Sequence, residues 1–126
     1  MIGAHKGYTR THQVIGNTRQ FGGGLDAAHL LARANIVTNK NLIPGDSPED
    51  WDRPGGLRMG TIEVTRLGMG EAEMQTIADL MARVLVEKES PETVGEDVIE
   101  FRQAYQTLFY NFDHGLPDPG GKQIVE

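Results

Sequence analysis

The sequence has no cysteine and no long apolar run, and each absence excludes a class of protein. Without cysteine the chain can form neither a disulfide framework nor a thiolate metal site. No apolar stretch approaches the roughly 20 residues that a membrane span requires. The first 13 residues, MIGAHKGYTRTHQ, also lack the apolar core of a secretory signal. We therefore expect a cytoplasmic protein with no membrane partner.

The sequence also lacks a cluster of basic residues. Lys and Arg number 12 against 18 Asp and Glu, which gives a net charge of -6, and the basic residues are dispersed along the chain. Binding to the phosphates of a nucleic acid requires clustered Lys and Arg. We therefore expect no nucleic-acid partner.

Glycine, by contrast, is abundant, with 16 among 126 residues, and 38% of the chain is hydrophobic. This length suits one domain with a modest core and is small for a complete cofactor enzyme. We assign the domain to residues 1–110 and predict an irregular tail over residues 111–126, where Gly and Pro recur.

The hydrophobic periodicity alternates between strand and helix patterns along the chain. This order predicts an α/β fold in which a small three-stranded sheet is covered by helices, with a long loop between the last two strands. The predicted strands are residues 11–15, 35–38 and 57–64. The predicted helices are residues 25–34, residues 71–87 and a last helix after Ser90-Pro91, with Val94, Val98, Phe101, Tyr105 and Leu108 on one face.

Generic site motifs in the sequence all have ordinary structural alternatives. The four histidines lack paired metal-ligand spacing, so we expect solvated or capping histidines and no metal site. They are His5, His12, His29 and His114. The segment FGGG at residues 21–24 could bind an anion at a helix N-terminus, but a turn needs the same glycines and is favoured.

Arg58 has an unusual setting because Gly55, Gly56 and Gly60 surround it. Glycines allow a ligand to approach closely, and the planar guanidinium suits bidentate binding of a carboxylate. Spacing alone nevertheless favours a surface arginine in a glycine-rich turn.

Several motifs resemble the C-terminal small domain of serine hydroxymethyltransferase, a fold-type I pyridoxal phosphate (PLP) enzyme, in its archaeal-type branch. The first is ANIVTNKN at residues 34–41, followed by a loop that contains Pro44 and Ser47-Pro48. The second is GLRMGT at residues 56–61, and EVTRLGM at residues 63–69 continues the similarity. HKGYT and THQV near the N-terminus are similar to the strand region that opens this domain. The resemblance covers residues 5–110 and implies a mainly antiparallel sheet.

The resemblance implies roles for particular residues. Arg58 matches the arginine that receives the carboxylate of the amino-acid substrate. Asn41 matches an asparagine near the pterin carrier, and Asn39 and Lys40 of the same motif are further candidates. His12 matches the histidine of the family's TDNH segment, in which Arg10 and Thr11 replace Asp and Asn here.

The resemblance also implies cofactors and partners that the chain does not supply itself. In the family, PLP is bound to a lysine of a larger N-terminal domain, and none of Lys6, Lys40, Lys88 and Lys122 stands in that motif. The carrier would be tetrahydrofolate or tetrahydromethanopterin. The implied partners are a large PLP-binding domain or subunit in a dimeric assembly, and the amino-acid substrate.

Two functional hypotheses follow from this resemblance. In the first, the chain is a component or fragment of a serine hydroxymethyltransferase-like enzyme that interconverts serine and glycine, or of a related PLP aldolase or transaldolase, and is inactive alone. In the second, it is a free-standing, non-catalytic binding module. The first predicts exposed apolar side chains near the first strand and the Arg58 loop, where a large domain would pack.

Overall fold

A computed structural model describes residues 1–109 of the chain. These residues form three strands, four α-helices and three short 3₁₀ helices. The strands are β1 (Gln13–Asn17), β2 (Asn39–Asn41) and β3 (Gly56–Gly60), and the α-helices are α1 (Gly23–Arg33), α2 (Ile62–Arg66), α3 (Glu71–Leu85) and α4 (Pro91–Gln103). The 3₁₀ helices are Ala4–Lys6, Arg19–Phe21 and Pro48–Asp52. The irregular tail predicted for residues 111–126 lies outside the described residues, as does His114.

The three strands form one antiparallel sheet in the order β1-β3-β2. The last strand in the chain is therefore central and hydrogen-bonds to both others. The predicted sheet is confirmed, and so is the long connection between its last two strands, which spans residues 42–55.

Helices cover one face of the sheet and enclose the core. Leu57 of β3 is only 1% exposed and belongs to the same buried cluster as side chains from α1, α3 and α4. Burial of each large apolar side chain contributes about 1.5–3 kcal/mol. The buried cluster consists of Ala27, Leu31, Ala34, Leu57, Leu80, Val84, Leu85 and Val94.

The helix α3 confirms the predicted helix 71–87, although it ends two residues earlier. Its N-terminus is capped by Glu73, whose Oε2 accepts a hydrogen bond from the backbone amide of Gly70 at 2.8 Å. The Tyr105 hydroxyl donates to the other oxygen of this carboxylate at 2.9 Å. These two donors, the Gly70 amide first, hold the pKa of Glu73 below its usual value.

The strand predicted for residues 35–38 is wrong. Asn35 adopts a left-handed φ of 60° at the end of α1, and the amide of Ile36 donates back to the carbonyl of Leu31 at 2.9 Å. These bonds close the helix terminus, so the chain becomes extended and paired only from Asn39. Val37 is left 90% exposed.

Other predicted boundaries are also wrong. The first strand is Gln13–Asn17 and not residues 11–15. The strand 57–64 ends at Gly60, because the chain turns into α2, where the amide of Thr65 donates to the carbonyl of Thr61 at 3.0 Å. The last helix ends at Gln103, so Tyr105 and Leu108 are not part of its face. Tyr105 still packs beside Phe101, with ring centroids 5.3 Å apart.

The glycines at residues 22–24 form the turn that opens α1, as predicted. Gly22 and Gly23 have φ values of 93° and 91°, which favour glycine. The amides of Gly23 and Gly24 donate to the carbonyls of Thr18 and Pro54 at 3.0 and 2.7 Å. Since both amides are used within the fold, the structure favours the turn over the anion site.

Candidate functional site

Arg58 lies on the face of the sheet opposite the helices. It is in the middle of the central strand, paired with Ile15 of β1 and with Asn39 of β2. Successive side chains of a strand point to opposite faces. Because Leu57 and Met59 pack in the helical core, Arg58 projects away from that core.

The guanidinium of Arg58 has no hydrogen bond or ion pair within residues 1–109, although its side chain is half-buried. Most other described arginines are paired with carboxylates or carbonyls. The pairs are Arg19–Asp46, Arg33–Glu92, Arg53–Asp26, Arg66–Glu63, Arg83 with Glu89 and Asp97, and Arg102 with the carbonyl of Tyr105. A partly buried charge is stabilised by a counter-charge. Arg58 is therefore available to bind an anion.

The surroundings of Arg58 leave room for a ligand. Gly60 lies two residues further along β3 and therefore faces the same side as Arg58. A Cβ added to Gly60 would meet no atom of residues 1–109 within 4 Å. The exposed amide side chain of Asn39 belongs to the residue directly opposite Arg58. An open surface with one guanidinium and a neighbouring amide suits a small carboxylate.

Asn41 is at the end of β2 on the same side of the sheet as Asn39, two residues away. It pairs with Gly56, and its Nδ2 donates to the carbonyl of Leu42 at 2.6 Å. No donor among residues 1–109 hydrogen-bonds to its Oδ1, so this oxygen can accept a bond from a ligand. The fold thus brings the sequence-predicted Arg58, Asn39 and Asn41 onto one face.

Lys40 is separated from this group by the pleat of β2. It is the residue opposite Leu57, and its Nζ donates to the carbonyl of Asp52 at 2.7 Å. The same ammonium lies 5.3 Å from the ring centroid of Trp51. Lys40 therefore supports the long loop instead of joining Arg58.

His12 lies just before β1 and is exposed. Its carbonyl accepts hydrogen bonds from the amide and the hydroxyl of Thr61 at 3.0 and 3.3 Å. Three residues of extended chain separate it from Ile15, the partner of Arg58, which corresponds to about 10 Å. The structure does not bring the His12 backbone to the pair formed by Arg58 and Asn39.

Asp46, in the long loop, is an organising residue that the sequence analysis missed. Its Oδ2 accepts hydrogen bonds from the amides of Ile43 and Gly55, both at 2.9 Å, and its Oδ1 accepts one from Arg19 at 2.5 Å. The two amides, followed by Arg19, hold the pKa of Asp46 below its usual value. In the sequence the only signal is an aspartate after Pro-Gly, which is typical of any turn.

No group of three or more His, Cys, Asp or Glu residues among residues 1–109 is placed to hold a metal ion. None of the helices in this range is both long enough and apolar enough to cross a membrane.

Comparison with known proteins identifies the family of this chain. A family model described as "Serine hydroxymethyltransferase" matches residues 6–81. Serine hydroxymethyltransferases from Aeropyrum pernix and Pyrococcus horikoshii are each 50% identical over 113 and 119 residues, which cover 90% and 93% of this chain. The enzyme from Methanocella arvoryzae is 50% identical over 107 residues. All three are archaeal, as the resemblance implied.

The chain spans only about a quarter of the length of these relatives, between 25% and 28%. The fold likewise matches only part of a solved structure, that of an L-threonine transaldolase from Pseudomonas fluorescens. That structure matches 88% of this chain but 25% of its own, with a TM-score of 0.69 and 31% identity. The sheet and its helices match the C-terminal domain of a fold-type I PLP enzyme. Together with the family match over residues 6–81, these similarities show that the chain belongs to the serine hydroxymethyltransferase family and corresponds to its C-terminal part.

Proposed function

We propose that this chain is the part of a serine hydroxymethyltransferase that binds the carboxylate of the amino-acid substrate. The complete enzyme would interconvert serine and glycine in the cytoplasm and transfer a one-carbon unit to a reduced pterin. The observation that carries the proposal is the guanidinium of Arg58, which has no partner among residues 1–109 and lies on the open face of the central strand.

The described residues do not fit covalent attachment of PLP. A lysine that forms a Schiff base is typically desolvated so that its amine is neutral. Lys6 and Lys88 are exposed, whereas the Nζ of Lys40 is hydrogen-bonded to the carbonyl of Asp52. We therefore propose that PLP, the electron sink of the reaction, is held by a large domain or partner subunit.

Arg58 would orient the substrate. A bidentate pair between the guanidinium and the carboxylate fixes both the position and the rotation of the amino acid. The substrate then loses its orientational entropy on binding, so this loss no longer adds to the barrier of the reaction. Because no described atom lies within 4 Å of a Cβ built at Gly60, the same face has space beside Arg58 for a substrate.

Asn41 would contact the pterin carrier, tetrahydrofolate or tetrahydromethanopterin. Its Oδ1, at the end of β2 on the same face as Arg58, accepts no hydrogen bond from the described residues. Pterin rings carry N–H groups that can donate a hydrogen bond to such an oxygen. A carrier bound at the start of the loop would lie beside an amino acid bound to Arg58.

The partner would cover the face that carries Arg58. Large apolar side chains are exposed at Val37, two residues before β2, and at Ile62, two residues after β3. Tyr8, in the segment before β1, is also exposed. These side chains support docking of a PLP-binding domain, in an assembly that we expect to be dimeric.

The decisive experiment measures glycine binding to the complete enzyme with its PLP-binding part, by titration of the visible absorption of the cofactor. Arg58→Ala is expected to weaken glycine binding by about 1.5–3 kcal/mol, or roughly 10- to 150-fold, because a charge-assisted hydrogen bond is lost. Arg58→Lys keeps the charge without the planar fork, so its affinity should be intermediate. Arg33→Ala is the matched control: it removes the same charge from a surface pair with Glu92.

The expected pattern is a loss specific to Arg58 variants. Equal glycine affinity for the Arg58→Ala variant and the unchanged enzyme would remove Arg58 from the site. A complete, folded preparation that binds neither PLP nor glycine would instead favour a non-catalytic module.

A transaldolase activity is the second candidate function. It is supported by the solved L-threonine transaldolase, which is 31% identical and shares the fold. Incubation of the complete enzyme with threonine and an aromatic aldehyde, in the absence of pterin, distinguishes the two. Formation of a new 3-hydroxy amino acid would favour the transaldolase, whereas pterin-dependent conversion of serine to glycine would favour the hydroxymethyltransferase.

A further inference from the structure

One carboxylate oxygen joins the two ends of the long loop. The loop leaves the sheet after Asn41 and returns at Gly56. The Oδ2 of Asp46 accepts hydrogen bonds from the amide of Ile43, two residues after Asn41, and from the amide of Gly55, which directly precedes Gly56. Asp46 therefore connects the end of β2 to the beginning of β3.

Arg19 also supports this carboxylate. It lies just after β1, the strand on the other side of β3 from β2. It approaches Asp46 to 2.5 Å, and the Asp46 side chain is only 6% exposed, compared with 46% for Arg19. Gly55 fits between them, because a Cβ there would lie 2.7 Å from Arg19 Nε and 2.8 Å from Asp46 Oδ1. The ion pair holds Asp46 in one position, and the absence of a side chain at Gly55 leaves room for that pair.

The two ends of the loop differ in their other supports. The carbonyl of Gly55 accepts bonds from the amide and the hydroxyl of the buried Thr18 at 2.9 and 3.2 Å. The strand that follows it is paired on both sides. The strand β2 has three residues and, within the described part of the chain, pairs only with β3. Loss of Asp46 should therefore displace Asn41 more than Arg58.

We propose that Asp46, braced by Arg19, is a positioning residue that fixes Asn41 relative to Arg58. It thereby sets the distance between the pterin carrier and the bound amino acid. This inference rests on the proposed function, in which Arg58 binds the carboxylate and Asn41 contacts the carrier. Asp46 itself touches neither ligand in this role.

The test compares two constants of the complete enzyme: the KM for the reduced pterin and the Kd for glycine. Asp46→Asn is expected to raise the pterin KM at least tenfold and to leave the glycine Kd within twofold. Arg58→Ala should instead raise the glycine Kd and leave the pterin KM nearly unchanged. Arg19→Gln leaves both amide bonds of Asp46 in place, so it should raise the pterin KM by a smaller factor, about threefold. If the Asp46→Asn variant does not fold, the pterin KM and the glycine Kd of the Arg19→Gln variant test the inference.

Changes of both constants by the same factor would indicate only a general structural role and would overturn the inference, as would no change in either. A second measurement separates this failure from failure of the proposed function. This measurement uses NMR spectra of the 126-residue chain. Asp46→Asn should speed hydrogen exchange at the backbone amide of Ile43 and change the chemical shifts of the side-chain amide of Asn41. The chemical shift of the Arg58 Nε–H should stay unchanged. Unaltered Ile43 and Asn41 signals would overturn the positioning role even if the enzyme binds neither ligand.

Discussion

Gly24 at the start of α1 contacts the backbone of Gly56 at the start of β3. A Cβ on Gly24 would lie 1.9 Å from the carbonyl oxygen of Gly56 and 3.2 Å from that of Pro54. The amide of Gly24 donates to the same Pro54 carbonyl at 2.7 Å. This contact sets how closely the helix approaches the strand that carries Arg58, because no side chain separates the two backbones.

The first prediction follows from this contact. Gly24→Ala should destabilise the chain by about 1–3 kcal/mol or more, since the methyl group would overlap a backbone atom that cannot rotate away. Urea denaturation followed by circular dichroism measures the change. Gly60→Ala is the matched control, because its Cβ would meet no described atom within 4 Å and the substitution reduces the entropy of the unfolded chain. Equal stability of the two variants would contradict the close contact.

The second prediction concerns the space beside Arg58. Gly60→Leu should fill the open face of β3 two residues from Arg58 and lower the glycine affinity of the complete enzyme at least tenfold. The melting temperature should change little, since no described atom lies within 4 Å of a Cβ built at Gly60. Calorimetric titration with glycine and a thermal melt give the two values. If glycine binds the Leu variant normally, the ligand does not use this space.

The third prediction concerns pH. Glu92 bridges α4 to Arg33 of α1 at 2.6 Å, and this hydrogen bond, followed by one from Ser90, lowers the pKa of Glu92 to about 2 from 4.5. The folded state therefore binds the proton less readily than the unfolded state, so the stabilisation is complete above pH 4.5 and is lost as the pH falls towards 2.

Melting temperatures of the chain and its Glu92→Gln variant, recorded between pH 6 and pH 2, test this expectation. The variant should be less stable at pH 6, and the difference should narrow as the pH falls. Both side chains are largely exposed, so the effect should be small and should decrease with added salt. A difference that grows at low pH would contradict the assigned pair.

The sequence predicted those features whose causes lie within a few neighbouring residues. The helical spacing of residues 71–87 and the Ser90-Pro91 start both gave helices, because capping and a repeating apolar face act within a few turns. The glycines before α1 gave a turn for the same local reason. Arg58 was selected by the motif around it, although its role as a carboxylate ligand stays a prediction.

Tertiary structure decided the features that depend on distant partners. Asn and Lys have low strand propensity, yet Asn39–Asn41 forms β2 because β3 offers it a hydrogen-bonding edge, whereas the apolar run before it is held by the end of α1. The ion pair between Asp46 and Arg19 joins residues 27 positions apart in the sequence. Likewise, the sequence could suggest that Arg58 binds an anion, but only the packing of the sheet determined that no described carboxylate reaches it. A local pattern specifies which conformations a segment prefers, whereas the partner of a strand or a charge is selected by the free energy of the whole fold.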